Sequence, residues 1–269
     1  MHVPQTNPDS YLLWLLGLAI SLILIGIAVT IFFRRRIRSQ IIKNGELYQQ
    51  IIEDILFRLM FGKLSMEESL KLFRALKQSN LLSKVTTQSI IFLHENYSGK
   101  QREVLEDFFV LSDLTAYSFR KIRSRKPEDI ISGIRYLSTM NVREAFEFMK
   151  LELSHPNDDV KKEAFIGLIA LQGMEGLAYF NLPAFPIDDI TQERILNQLK
   201  NKRFTSFAGV HLLLYSENES LILLGARITE QFQLHAYYEF IQTFNQELQP
   251  RYSVAIDAIR ERLNKATRS

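Results

Sequence analysis

The residue types that most often carry metal or acid–base chemistry are few and scattered in this chain of 269 residues. Its histidines are His2, His94, His155, His211 and His235. No two of them stand three or four residues apart beside a carboxylate, the spacing that places metal ligands on one face of a helix. One of them, His155, falls in a polar turn, where we interpret it as an ordinary loop residue. The histidines therefore predict no metal site.

The other side chains that could act in catalysis are equally dispersed. The chain has no cysteine, which excludes disulfides, Cys-ligated zinc, iron–sulfur clusters and thiol catalysis. Its 11 glycines form no phosphate-binding loop, and no serine lies in a GxSxG motif. The sequence predicts no catalytic residue, no cofactor and no metal, and the chain is not expected to be an enzyme.

Two pairs of neighbouring carboxylates, Asp158–Asp159 and Asp188–Asp189, are the strongest remaining candidates for acid–base or metal chemistry. Each pair precedes a predicted helix, where an acidic side chain is favoured by the positive end of the helix dipole. We interpret both pairs as helix-start residues, and catalysis or metal binding is the alternative that the sequence leaves open.

An uncharged stretch at residues 11–33, YLLWLLGLAISLILIGIAVTIFF, dominates the N-terminal part of the chain. A helix of this length covers roughly 35 Å, enough to cross a hydrocarbon core about 30 Å thick. Tyr11 and Trp14 lie at one end, where amphipathic rings favour the headgroup layer. Residues 1–10 lack the Lys or Arg that opens a signal peptide. We therefore predict a single-pass transmembrane helix at 11–33.

A basic segment at 34–44 follows, and its charged residues are Arg34, Arg35, Arg36, Arg38 and Lys43. Because the tail at 1–10 has no Lys or Arg, the positive-inside rule places the N-terminus outside and the rest of the chain in the cytoplasm. We predict that these five side chains hold anionic lipid headgroups; a topology signal alone is the alternative. The short tail and the lack of cysteine suggest the inner (cytoplasmic) membrane of a bacterium.

The charge of the remaining chain argues against nucleic acid as a partner. Five of the 33 Lys and Arg residues lie in the basic segment, and one of the 30 Asp and Glu residues precedes residue 44. The chain from residue 44 onward therefore carries 28 basic and 29 acidic side chains. A nucleic-acid-binding domain needs a basic face of its own, which this balance does not favour.

From about residue 112 the chain becomes self-similar, with short predicted helices that each follow a polar or Pro-containing turn. The aliphatic residues that open these helices are Ile130, Val160, Ile190, Ile222 and Val254. Their spacings are 30, 30, 32 and 32 residues, and between them lie segments that could pair with each helix. A repeat of this length, with no strand-type alternation, predicts an all-α solenoid of about five helical hairpins.

One repeat unit, residues 142–173, carries a more specific pattern. Its second helix reads V-K-x-x-A-x-x-x-L-x-x-L and supplies Val160, Lys161, Ala164, Leu168 and Leu171. This unit resembles a HEAT repeat, and the segments at 222–226 and 254–263 carry part of the same pattern. The resemblance covers about residues 112–266 and implies paired helices that stack into a curved array with a protein-binding surface. Residues 45–111 carry no such pattern and are interpreted as a helical cap or connector.

The segment AYFNLPAFP at 178–186 is apolar, has two prolines and fits no helix. We predict that Tyr179, Phe180 and Phe185 either form a partner-binding loop or pack as a lid on the repeat core. The two alternatives differ in whether the three rings are exposed.

Together these features predict a membrane-tethered cytoplasmic scaffold or adaptor that binds protein partners at the membrane and has no small-molecule substrate. Two alternatives remain open. The first is a regulatory accessory subunit of a membrane enzyme complex, for example a glycosyltransferase. The second is an enzyme similar to HEAT-like chromophore lyases, which would need a ligand pocket with convergent polar groups.

Overall fold

The structure is a computed structural model that describes residues 27, 29–32, 44–179, 182–202, 204, 206–244 and 247–266. The predicted anchor and basic segment lie almost entirely outside these residues; of the anchor, residues 27 and 29–32 are described, and they are helical. No helix among the described residues is long and apolar enough to span a bilayer.

Every regular element in the described ranges is helical, which confirms the all-α prediction. The chain divides into two compact units, at Met1–Ser89 and Ile90–Ser269, so the division falls inside a helix. The first unit contains α1 at residues 44–60, α2 at Met66–Ala75 and most of α3 at Asn80–Asn96. A capping box opens α2, because the Ser65 hydroxyl accepts from the Glu68 amide and the Glu68 carboxylate accepts from the Ser65 amide.

The second unit is a succession of short helices. Its elements are α4 (Lys100–Leu111), α5 (Leu114–Ile122), α6 (Pro127–Thr139), α7 (Phe146–Glu152), α8 (Asp158–Gln172), α9 (Asp189–Lys202), α10 (Val210–Leu214), α11 (Glu219–Gln231), α12 (Tyr238–Thr243) and α13 (Pro250–Ala266). Short 3₁₀ turns precede α7 and α12, and a longer one, Met174–Tyr179, follows α8. The sequence predicted most of these helices but did not separate α5 as a helix of its own.

Neighbouring helices pack as hairpins: α5 on α6, α7 on α8, α10 on α11 and α12 on α13. The second members α6, α8, α11 and α13, together with α9, which belongs to none of these hairpins, also pack on one another in chain order. We call these five the second helices. The approach of α5 and α6 is very close, since a Cβ on Gly133 would come within 2.5 Å of the Ile122 amide nitrogen. Only glycine fits there.

Helices α8 and α11 form the centre of the apolar core. Every residue of α8 from Glu163 to Leu171 is buried, and α11 is buried from Ser220 to Ala226. Ala164, the small residue of the HEAT-like pattern in α8, is completely buried.

Two of the five helix-opening aliphatics do not lie in the core, and this corrects the predicted repeat register. Ile190 is 74% exposed and Val254 is 70% exposed, whereas Ile130, Val160 and Ile222 are buried. In α9 the buried positions are Thr191, Gln192, Ile195 and Leu199, one residue later than predicted. In α13 they are Tyr252, Ile256, Ile259 and Leu263. Packing on two neighbouring helices sets which face of each helix is buried.

Candidate functional site

Charged side chains join α6, α8 and α9 across their exposed edges. The Glu163 carboxylate, buried on α8, accepts hydrogen bonds from Arg135 of α6 at 3.2 Å and from Arg194 of α9 at 2.8 Å. Burial tends to raise the pKa of Glu163, but the two guanidinium groups outweigh it and hold the pKa below its ordinary value. One carboxylate thus joins three of the second helices, α6, α8 and α9.

A second set of polar contacts joins α8, α9 and α11. Asp188 accepts from the Lys162 ammonium at 2.5 Å and from the Thr191 amide at 2.8 Å, which makes it the start of α9 as predicted for this carboxylate pair. These two donors lower the pKa of Asp188 to about 2. Asp189 pairs with Arg227 of α11 at 2.8 Å. The other carboxylate pair lies in the first turn of α8, where Asp158 pairs with Lys161 at 2.5 Å.

The contact between α11 and α13 is also ionic. Glu230 accepts from both the Nε and the Nη2 of Arg262, 32 residues further along the chain. Each second helix is therefore tied to the next by at least one pair of opposite charges, and the partners lie 26 to 38 residues apart in sequence. We call this series the interhelix ion-pair ladder.

A cleft of about 290 Å³ opens on the surface of α9, α11 and α13. Its lining residues are Lys162, Pro186, Ile187, Asp188, Asp189, Gln192, Leu223, Arg227, Arg251, Tyr252 and Ala255. Carboxylate, amide, guanidinium and phenol groups thus stand side by side around a small apolar base. Such a mixture can bind the polar backbone and side chains of a polypeptide at several points.

The segment that precedes α9 forms one wall of this cleft and is firmly attached to α11. The Asn218 side-chain amide donates to the carbonyls of Pro183 and Phe185, at 3.0 and 2.9 Å. The Ile187 amide donates to the Ser220 hydroxyl at 2.8 Å. Because Pro183 and Ile187 are also buried, the backbone of this segment is part of the core surface and not a free loop.

The three rings predicted in this segment have different surroundings. Tyr179 ends the 3₁₀ turn after α8 and is 64% exposed, whereas Phe185 is half-buried with the Lys161 ammonium 5.1 Å from its ring centre. Phe180 lies outside the described residues. The structure thus brings Phe185 close to the cleft and leaves Tyr179 at the surface.

The exposed aliphatics Ile190 and Val254 lie on the two helices that flank the cleft. Ile190 follows the cleft residue Asp189 on α9, and Val254 precedes the cleft residue Ala255 on α13. Sequence analysis named both only as helix-opening aliphatics of the repeat and did not identify them as surface residues. The sequence feature that relates the two residues is their spacing of 64 residues, or two repeats.

The remaining predicted site residues are the lipid-headgroup cluster and the histidines. The lipid-headgroup residues Arg34, Arg35, Arg36, Arg38 and Lys43 lie outside the described residues. Of the described histidines, His155 accepts from the Asn157 amide within the turn before α8. In the described ranges no group of three or more His, Cys, Asp or Glu side chains is arranged to hold a metal ion.

Comparison of the chain with protein-family models, with curated proteins and with solved structures finds no match.

Proposed function

We propose that the chain is a membrane-tethered adaptor whose second helices form a HEAT-like solenoid that binds a protein partner. The observation that carries the proposal is the interhelix ion-pair ladder, which joins all five of the second helices. Helical hairpins held in one row by contacts about a repeat apart are typical of solenoids. Solenoids present an extended surface, which is suited to binding another polypeptide.

The binding surface is the cleft together with Ile190 of α9 and Val254 of α13, two exposed residues on helices that line it. Interfaces combine apolar anchor residues with a polar rim, and this surface offers both. The cleft is already braced by the ladder and by the Asn218 and Ser220 contacts, so binding orders few side chains and its entropic cost is low. The anchor and the basic segment, both predicted from the sequence, hold this surface at the cytoplasmic face of the membrane.

The proposal is tested by affinity purification of the full chain from detergent, followed by identification of the co-purifying proteins. The variant Ile190→Ser/Val254→Ser is expected to lose a partner that the wild-type chain retains. Both side chains are mostly exposed, so the free energy of unfolding should change by less than about 0.5 kcal/mol for each substitution.

A matched control replaces two equally exposed apolar residues on other elements, Leu151→Ser/Tyr215→Ser. This control is expected to keep the partner. A wild-type chain that co-purifies with no membrane protein, or a cleft variant that binds as well as the control, contradicts the proposal.

A further inference from the structure

A cavity of about 960 Å³ lies apart from the cleft, in the second unit. It is bounded by the end of α3, the start of α4, the turn after α6 and the C-terminal parts of α8 and α9. Its lining residues are His94, Ser98, Gly99, Arg102, Glu103, Glu106, Asn141, Arg143, Ala170, Leu171, Lys200 and Phe204. This volume lies within the range of small-molecule sites.

The polar wall of the cavity is built on a buried histidine. His94 is almost fully buried, and its Nε2 lies 2.9 Å from the Glu106 carboxylate. The Arg102 Nε donates to the His94 carbonyl at 2.8 Å, which ties the start of α4 to the end of α3. These contacts fix the wall before any ligand arrives.

Two basic residues of the cavity, Arg143 and Lys200, make no ion pair with the described residues. They differ in this from the basic residues of the ladder, such as Arg135 and Arg262, which pair with carboxylates of a neighbouring helix. Arg143 lies two residues after Asn141, whose left-handed backbone (φ 54°) turns the chain at the end of α6. The cavity also contains Arg102, Glu103 and Glu106, so its formal charge with neutral His94 is +1.

The apolar part of the lining comprises Ala170, Leu171 and Phe204. The Phe204 ring packs on Gly173, where a Cβ would come within 2.8 Å of the ring. Gly173 has a φ of +66°, so the end of α8 and the ring that covers it are set by one glycine. The cavity therefore offers a fixed aromatic surface beside uncompensated positive charge.

We infer that this cavity binds a small organic anion, with a phosphate or carboxylate group at Arg143 and Lys200 and a flat apolar body against Phe204. A guanidinium and an ammonium group together favour such a head group through charge-assisted hydrogen bonds. The ring and the two aliphatic side chains select against a bare inorganic anion. This ligand is distinct from the protein partner of the cleft.

The test is isothermal titration calorimetry of the full chain in a non-ionic detergent and a phosphate-free buffer. The probes are phenyl phosphate, benzoate, inorganic phosphate and the neutral benzyl alcohol. We expect phenyl phosphate or benzoate to bind at least about tenfold more tightly than inorganic phosphate or benzyl alcohol, because only the first two engage both the basic residues and the apolar part of the lining.

The variant Arg143→Gln/Lys200→Gln should weaken binding of the aromatic anions by at least about tenfold, since each lost charge removes a charge-assisted contact. Both residues are exposed, so the variant is expected to fold, which its helical circular dichroism will check. The control Arg125→Gln/Lys265→Gln removes the same charge from exposed positions outside the cavity and should bind as wild type does. The inference is overturned if no aromatic anion binds with a dissociation constant below about 10 mM. It is also overturned if inorganic phosphate binds as tightly as the aromatic anions, or if the two double variants bind them equally well.

Discussion

Glu163 shows how a single buried carboxylate organises the second unit. Its side chain is 5% exposed, while the side chains of Arg135 and Arg194 that donate to it are 47% and 40% exposed. The carboxylate therefore depends on the two guanidinium groups, whereas water can still reach both arginines. Loss of the glutamate leaves no charge stranded in the apolar core.

Replacement of Glu163 with alanine is expected to lower the free energy of unfolding by about 2 to 3 kcal/mol. The value is smaller than the 3 to 5 kcal/mol typical of a broken buried pair, because the arginines stay partly solvated. Urea unfolding followed by circular dichroism measures it. The control Glu147→Ala removes an exposed carboxylate 3.8 Å from Lys150 and should cost less than about 0.5 kcal/mol. Equal losses in the two variants would show that the Arg–Glu–Arg contact carries no stability.

Asp188 gives a pH-dependent test at the start of α9. Its pKa is about 2 in the folded chain against an ordinary value of 3.8, so the unfolded chain binds the proton more readily. The stabilisation by the Asp188 charge is therefore complete above about pH 4 and is lost as the pH falls toward 2. Because the side chain is 48% exposed, the effect should stay below about 1 kcal/mol.

The comparison variant for this test is Asp188→Asn, which keeps an acceptor for the Thr191 amide and removes the charge. Wild type should be the more stable of the two at pH 7, and the difference should shrink between pH 4 and pH 2. A difference that is constant over this range would show that the contact with Lys162 is not electrostatic.

At the scale of the elements, the sequence predicted the helices well because their apolar residues recur at helical spacing and their ends carry recognisable caps. It failed where packing decides which face is buried. Gln192 of α9 is buried because its amide donates to the carbonyls of Ile187 and Ser220, and a polar residue at a core position cannot be read from hydropathy. Ile190 is consequently left at the surface.

The contacts between helices could not be predicted from local sequence patterns either. The partners of Glu163 lie 28 and 31 residues away, so neither is a neighbour within a helix. The signal that could have found them is the recurrence of opposite charges at the repeat spacing. For the cavity near His94, five separate segments contribute residues, and no local motif marks it.

The buried position of Ala164 leads to a prediction for the stability of the second unit. Ala164→Asp places an unpaired carboxylate where α8 is buried, and we expect a loss of cooperative folding of the second unit, since such burial is among the most destabilising single changes. Ala116→Asp makes the same change at an exposed position of α5 and should melt close to wild type. An Ala164→Asp protein with wild-type melting would contradict the central packing of α8.

For the whole molecule, the sequence predicts that residues 1–10 lie outside and the helical units in the cytoplasm. The chain has no cysteine, so single cysteines report topology without background. Ser10→Cys should react with a membrane-impermeant thiol reagent on intact cells, whereas Glu193→Cys, on the exposed side of α9, should react only after lysis. The reverse pattern would refute the predicted orientation.

The adaptor proposal makes one demand on the whole molecule, which is that a protein partner contacts the surface beside the cleft when the chain is at the membrane. Site-specific photo-cross-linking in intact cells tests this most directly, with a benzophenone amino acid at Val254 or, as the comparison, at Leu151 of α7. The side chains they replace are 70% and 73% exposed, so solvent access does not distinguish them. We predict a discrete cross-linked product to a membrane-associated protein from position 254 and none from position 151. Cross-linking from both positions alike, or from neither, would contradict a partner-binding surface on the second helices.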